Sequence, residues 1–274
     1  MGCCTPAERA ASERFGDAYH RSTLPVMLKI EREVFGGDYG GNSWTTKEQA
    51  NLIAELMHLG PNSKFADLGA GSGWPAIHIA KATGSHAALF DLPDISVRIA
   101  QERAITEGLS DCVTAHVADA AELPVDDGTY DAISHSDLLC CLVRKEDVLK
   151  ECRRVVRGGG CMVFTVVLVP KGLKPADLDR AIANGPEFVD APADYPTLLD
   201  RSGWRIDQKI DLTAEFLSTC TRQLQADRMY RGELVDVMGE EETDARIENW
   251  RCKAEAIREG LLTRELFSCR PSDV

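Results

Sequence analysis

Asp67, Gly69, Gly71 and Gly73 alternate directly after the apolar pair Phe65-Ala66, and a helix opens at Trp74-Pro75. A strand here delivers a carboxylate into a sharp glycine turn. Glycine reaches positive φ without strain and lets a ligand approach the backbone without meeting a Cβ. The helix that follows points free N–H groups at whatever binds. Such a turn suits a nucleotide-like molecule. The hydride-cofactor fingerprint G-x-G-x-x-G/A could be forced onto Gly71, Gly73 and Ala76. However, Asp67 would then repel a pyrophosphate, whereas a carboxylate at that strand tip suits a ligand with a positive group such as an ammonium. Pro75 fits the first helical turn, where its missing N–H costs nothing.

Further acids follow at the ends of apolar runs. Ala87–Asp91 reads as a second strand and Cys112–Asp119 as a third. Tyr130–Ser134 reads as a fourth, and Arg153–Gly160 leads as helix and glycines into a fifth at Cys161–Val167. Together these motifs, in register over residues 65–167, resemble the class I S-adenosylmethionine-dependent methyltransferases. The resemblance implies S-adenosyl-L-methionine as cofactor and a Rossmann-like, doubly wound, seven-stranded, mostly parallel α/β sheet. It implies an N-terminal helical cap and a C-terminal helical lid insertion. Cofactor contacts are then expected from Asp67, Gly69, Ala70, Gly71 and Gly73. Asp91 would grip the ribose hydroxyls with Leu92 beside the adenine, and Asp119 with Ala120 would face the adenine amino group. Ser136 is expected at the cofactor too. Tyr39 and Trp44 are expected to wall the cleft, since aromatic faces suit a sulfonium cation.

The segment Ser134–Cys141 follows strand four at a carboxyl strand end, where substrates of open sheets bind. The expected catalytic residues are Asp137, His135 and Tyr19. His135 reads as a base or as a histidine hydrogen-bonded under the lid; Asp137 reads as a holder of a cationic amine or as a helix N-cap. Cys141 reads as core. Tyr19-His20 lies on an amphipathic N-terminal helix. A narrower resemblance, to the phosphoethanolamine N-methyltransferases, rests on Phe35-Gly36-Gly37-Asp38-Tyr39 and on Trp250, Lys253 and Gly260 before a last strand. In that family an Asp after strand four contacts the amine, matching Asp137, and the catalytic His four residues later falls on Cys141. The implied reaction is a related methyl transfer, to an amine or hydroxyl of a different small acceptor.

The positioning elements divide into residues 1–44 (cap helices and a glycine-rich loop, 36–42), 45–170 (cofactor core) and 171–274 (lid helices and final sheet-edge strands). Thr45 and Glu48 form a capping box for a helix ended by Gly60-Pro61. Long helices are expected over 214–238 and 243–259, with final strands at 205–212 and 261–269. Glu240–Asp244 reads as a solvated turn and helix start favoured by the dipole. Trp204, Phe216, Met229, Tyr230, Met238 and Trp250 read as lid packing.

Composition bounds the function. A net charge of −13 disfavours a nucleic-acid partner, because phosphate binding needs clustered Lys and Arg. A base N-methyltransferase would also carry an Asn/Asp-Pro-Pro-aromatic tetrad where this chain has Ser134-His135-Ser136-Asp137. The ten cysteines include no C-x-x-C; Cys3-Cys4 and Cys140-Cys141 are adjacent pairs. With no metal pattern, no signal peptide and no long apolar span, a reducing cytoplasm without membrane contact is expected. Met1–Pro6 lacks the myristoylation pattern and reads as a disordered start. Oligomeric state has no sequence signal. An NAD-dependent oxidoreductase, an arsenic methyltransferase and a non-catalytic S-adenosylmethionine-binding protein are the competing readings.

Overall fold

The computed structural model describes residues 5–39 and 43–272. Cys3-Cys4 and Gly40-Gly41-Asn42 of the glycine-rich loop lie outside the described residues. Seven strands form one sheet: β1 (Lys64–Leu68), β2 (His86–Asp91), β3 (Val113–Val117), β4 (Tyr130–Ser136), β5 (Val156–Leu168), β6 (Trp204–Asp211) and β7 (Thr263–Pro271). Their order is β3-β2-β1-β4-β5-β7-β6. The first five strands run parallel and β7 pairs antiparallel to both β5 and β6. The order reverses between β1 and β4, where an open α/β sheet leaves a crevice at its carboxyl edge.

Both faces of the central strands are buried. On β5, Met162, Phe164 and Val166 pack into one cluster and Cys161 and Val163 into the other. This two-sided burial explains why these strands read as continuous apolar runs rather than alternating ones. Helices α4 (Ala76–Thr83), α5 (Asp94–Thr106) and α6 (Lys145–Val155) complete the crossovers, and α3 (Lys47–Met57) precedes β1. The capping box of α3 is formed by Thr46 and Gln49, not by Thr45 and Glu48. Thr45 is unavailable because its hydroxyl accepts a hydrogen bond from the buried Arg264 guanidinium.

Two helices, α1 (Pro6–Ser22) and α2 (Pro25–Phe35), form the N-terminal cap. Thr5 and Glu8 form a capping box at α1, and Gly36, at φ 74°, ends α2. The lid elements are α7 (Pro175–Asn184), α9 (Thr213–Met229), α10 (Arg231–Met238) and α11 (Glu240–Arg258), while α8 (Tyr195–Arg201) packs on α6 and β6. The single helix expected over 214–238 is broken at Tyr230. The helix expected from 243 starts at Glu240 after Gly239, whose φ is 82°. Three glutamates occupy its first turn, as the dipole favours. Helices α9–α11 are inserted between β6 and β7, and α2 packs on α9. Cap and lid therefore meet over the carboxyl edge of the sheet.

One charged contact docks α1 onto the core. The Glu8 carboxylate accepts from Val143 N and Arg144 N, both at 3.1 Å, and from Arg144 Nε at 2.9 Å. Arg144 Nη2 in turn donates to Asp119 Oδ2 at 2.7 Å. Burial alone would raise the Glu8 carboxyl; hydrogen bonds from Thr5 and Arg144 overcome it and bring it from 4.5 to about 2. A carboxyl lowered in the folded chain contributes its full stability above its unfolded pKa and loses it as pH falls through the folded one. Docking of α1 should therefore hold down to pH 4.5 and weaken progressively toward about 2. Hydrogen exchange over residues 6–22 checks this; Glu8→Ala should show the same loosening at neutral pH.

Candidate active site

A cavity of about 360 Å³ lies between the carboxyl edge of the sheet, the cap and the lid. The sheet contributes Gly69, Asp91, Leu92, Asp119, Ala120, Ser136 and Asp137; the cap contributes Tyr19 and α2; the lid contributes α9 and α11. These come from distant sequence positions because each βα turn ends at the same sheet edge.

The glycine loop is held from inside. Gly71 N donates to Asp91 Oδ2 at 2.7 Å and Leu92 N to Asp91 Oδ1 at 2.8 Å. Gly69, Gly71 and Gly73 have φ of 64°, 54° and 93°. What a side chain at Gly71 would strike is the Tyr19 hydroxyl, 2.3 Å from a Cβ there; at Gly69 it would strike Leu138 at 2.7 Å. The expected ligand cradle is thus corrected in part. Gly69 lines the cavity, whereas Ala70, Gly71 and Gly73 do not, and the Tyr19 phenol lies against Gly71.

Asp67 lies beneath that loop rather than on the cavity wall. It is 1% exposed and accepts from Ser134 Oγ at 2.5 Å. Burial raises its carboxyl to about 7, opposed by the Ser134 hydrogen bond and helped by the Asp91 charge. Burial likewise raises Asp91 to about 6 against the N–H groups it accepts. Among the described residues neither carboxylate has a cationic partner. The Ser136 hydroxyl, also on the wall, is buried without a hydrogen-bond partner. Two buried, unneutralised carboxylates and an unpaired hydroxyl fit a ligand with a positive end and sugar hydroxyls, and they oppose a pyrophosphate. The residues fit S-adenosylmethionine.

Three expectations about the remaining site residues are corrected. His135 is fully buried, stacked on Phe164 with ring centroids 4.5 Å apart, and neither ring nitrogen has a partner. Burial lowers it to about 3, so it stays neutral, and it does not line the cavity. β4 alternation turns it into the core while Ser136 faces the ligand side. Asp137 lines the cavity at φ 56°, but neither caps a helix nor awaits an amine. Its two oxygens accept from Arg264 Nε and Nη2 at 3.0 and 2.7 Å. Tyr39 stacks on Trp74, centroids 3.6 Å apart, outside the cavity, while Trp44 does line it. Cys141 borders the cavity, and Cys140 is in the core.

Sequence reading passed over Arg264. It is 0% exposed, and besides Asp137 it donates to Thr45 Oγ1 and Thr165 Oγ1 at 3.0 Å and to Gln49 Oε1 at 2.9 Å. Its signal was an arginine two positions before the buried Leu266, on the same side of β7. Glu8, Arg144, Gln223 and Arg246 also border or brace the site and carried no local motif.

Residues 66–164 match the model of a family described as a methyltransferase domain. The chain is 26% identical over 226 residues to Methyltransferase GfsG of Streptomyces halstedii, covering 75% of this chain and 78% of that protein. It is 25% identical to Phosphoethanolamine N-methyltransferase 1 of Zea mays over 237 residues, 85% of this chain but only 46% of that protein. The chain carries a methyltransferase domain and is similar to the S-adenosylmethionine-dependent methyltransferases. The fold agrees. Geranyl diphosphate C-methyltransferase of Streptomyces coelicolor A3(2), solved with S-adenosyl-L-homocysteine, superposes with a TM-score of 0.75. That match has 16% identity and covers 98% of this chain and 100% of that one. These likenesses agree with the cofactor expected from the glycine turn, and the oxidoreductase and non-catalytic readings are not favoured.

Proposed function

We propose that this methyltransferase acts on a small molecule held between cap and lid. The observation that carries this reading is the continuity of the cavity, from Asp91 and Asp119 at the strand tips to Trp44 and Trp250 beneath the lid. The working division is a cap (1–44), a cofactor core (45–170) and a lid-bearing part (171–274). Gly69 would hold the amino-acid end of the cofactor above the buried Asp67 charge, Asp91 the ribose, and Leu92, Asp119 and Ala120 the base, with Ser136 as a further hydroxyl contact. The bound cofactor supplies an already electrophilic methyl group, so the chain's task is placement and exclusion of water. Trp44 and the cap helices shield the site. A cytoplasmic setting agrees with the eight described cysteines being free thiols. The formal charge of −13 argues against a nucleic-acid acceptor. No described helix is long and apolar enough to cross a membrane.

Tyr19, on the cavity wall against Gly71, would meet the reacting acceptor. Burial, reinforced by Asp91, Cys141 and Asp67, raises its phenol well above the usual range, so it remains a hydrogen-bond donor at neutral pH. It would orient an acceptor lone pair rather than remove a proton. Tyr19→Phe should lower kcat about tenfold, the worth of one hydrogen bond of about 1.4 kcal/mol, with cofactor Kd unchanged by calorimetry. The acceptor reading is tested by incubating the protein with methyl-labelled cofactor and fractionated extract. Label in small organic compounds is expected; label confined to protein or nucleic acid would overturn it.

A further inference from the structure

The lid buries a polar row where a packing face would be apolar. Thr219, Gln223 and Asp227 recur every four residues on α9 and so share one face. Their exposures are 1%, 8% and 0%. From α11, Arg246 donates through Nε to Asp227 Oδ2 at 2.6 Å and through Nη2 to Oδ1 at 3.3 Å, and Gln223 Nε2 donates to that Oδ1 at 2.7 Å. Both oxygens of Asp227 are thereby engaged. Arg246 is not used up: a guanidinium carries five N–H groups, and among the described residues only Nε and one N–H of Nη2 have partners. Thr219, Gln223 and Arg246 line the cavity, and Arg246 also borders an outer groove beside Arg21 and Glu242. It therefore stands at the boundary an acceptor would cross.

The surroundings select the charge of the guest. Met27, Ile30 and Phe35 of α2 and Trp44 and Trp250 provide apolar wall. Of the acids on the same wall, Glu8 and Asp119 are held by Arg144 and Glu187 by Arg14, and Asp91 is assigned to the cofactor ribose, so a cationic amine finds little there. The Asp137 carboxylate is held by Arg264, and Glu31 is already engaged. The faces of Trp44 and Trp250 lie 5.4 and 5.8 Å from the Lys253 ammonium, whose charge disfavours a second cation. What remains are N–H donors on a planar fork, the geometry that matches a carboxylate or phosphate.

We propose that Arg246, oriented by Asp227 and Gln223, binds an oxyanion on the methyl acceptor while its apolar remainder lies against Trp250, Trp44 and α2. This rests on the small-molecule reading above. The test saturates the protein with S-adenosylhomocysteine and titrates benzoate, phenyl phosphate, benzyl alcohol and benzylamine by calorimetry. An oxyanion probe should bind saturably, about tenfold or more tighter than benzyl alcohol, and benzylamine should not saturate. The stronger of benzoate and phenyl phosphate tells carboxylate from phosphate ester. Asp227→Asn/Arg246→Met removes both charges together, so that no carboxylate is stranded. It should weaken the oxyanion probe about tenfold while leaving S-adenosylhomocysteine affinity and melting temperature in place. Preference for benzylamine, lack of saturable oxyanion binding, or oxyanion binding untouched by the double variant would overturn the proposal. Failure of the wild-type chain to bind S-adenosylhomocysteine would instead count against the cofactor assignment, and is read first.

Discussion

Asp91→Ala should weaken S-adenosylmethionine binding by two to three orders of magnitude in calorimetry. Asp91 anchors the glycine loop through Gly71 N and the turn after β2 through Leu92 N while facing the cavity. Hydrogen bonds to a charged group contribute about 1.5–3 kcal/mol each, and tenfold in affinity is about 1.4 kcal/mol. Losing the proposed sugar contacts together with the loop geometry therefore reaches the stated range. Unchanged affinity would show that the ribose lies elsewhere. The pH dependence has a definite sign. The free protein holds Asp91 at about 6 and Asp67 at about 7, both raised first by burial. A ligand offering hydroxyls and an ammonium favours the ionised forms, so binding expels protons. Affinity should rise as pH increases through about 6 to 7, with proton release visible as a dependence of heat on buffer ionisation. For stability the sign reverses. The folded chain keeps these protons above 3.8, where the unfolded chain has lost them, so the two groups' contribution falls as pH rises toward about 7.

Arg264→Met should be the most destabilising single change at the site. The substitution leaves the Asp137 carboxylate buried and unpaired, which costs about 3–5 kcal/mol. It also removes the donor shared by Thr45, Gln49 and Thr165. At roughly 2–4 °C per kcal/mol for a chain of this size, the melting temperature should fall by about 10 °C. Arg264→Lys should recover little, because an ammonium cannot span both Asp137 oxygens as a planar fork does. The double variant Asp137→Asn/Arg264→Met should recover part of the loss by removing the stranded charge. A melting curve unaltered by Arg264→Met would show that the pair does not hold the β4 end in place.

The two residues illustrate how far the chain could be read without its fold. Asp91 was legible because its signal is local: an acid closing an apolar run, in register with the glycine turn before it. The parallel order of the first five strands followed for the same reason, since apolar runs alternating with helices admit few topologies. Arg264 was invisible because its side-chain partners at residues 45, 49, 137 and 165 lie at least 99 positions away. Asp137 was misjudged with it. A carboxylate after β4 looks the same in sequence whether it awaits a cation from a ligand or already has one from β7.

His135 shows the converse. Its type suggested chemistry, but one step of strand alternation placed it against Phe164 in the core and turned Ser136 to the cavity. The amino-acid sequence determined the sheet and the acids that close its strands, because those depend on period, glycine and acid within short windows. The tertiary structure alone decided which polar groups are paired, which remain open, and therefore what acceptor the lid can admit. Ion pairing and burial are set by segments that meet only after the chain has folded.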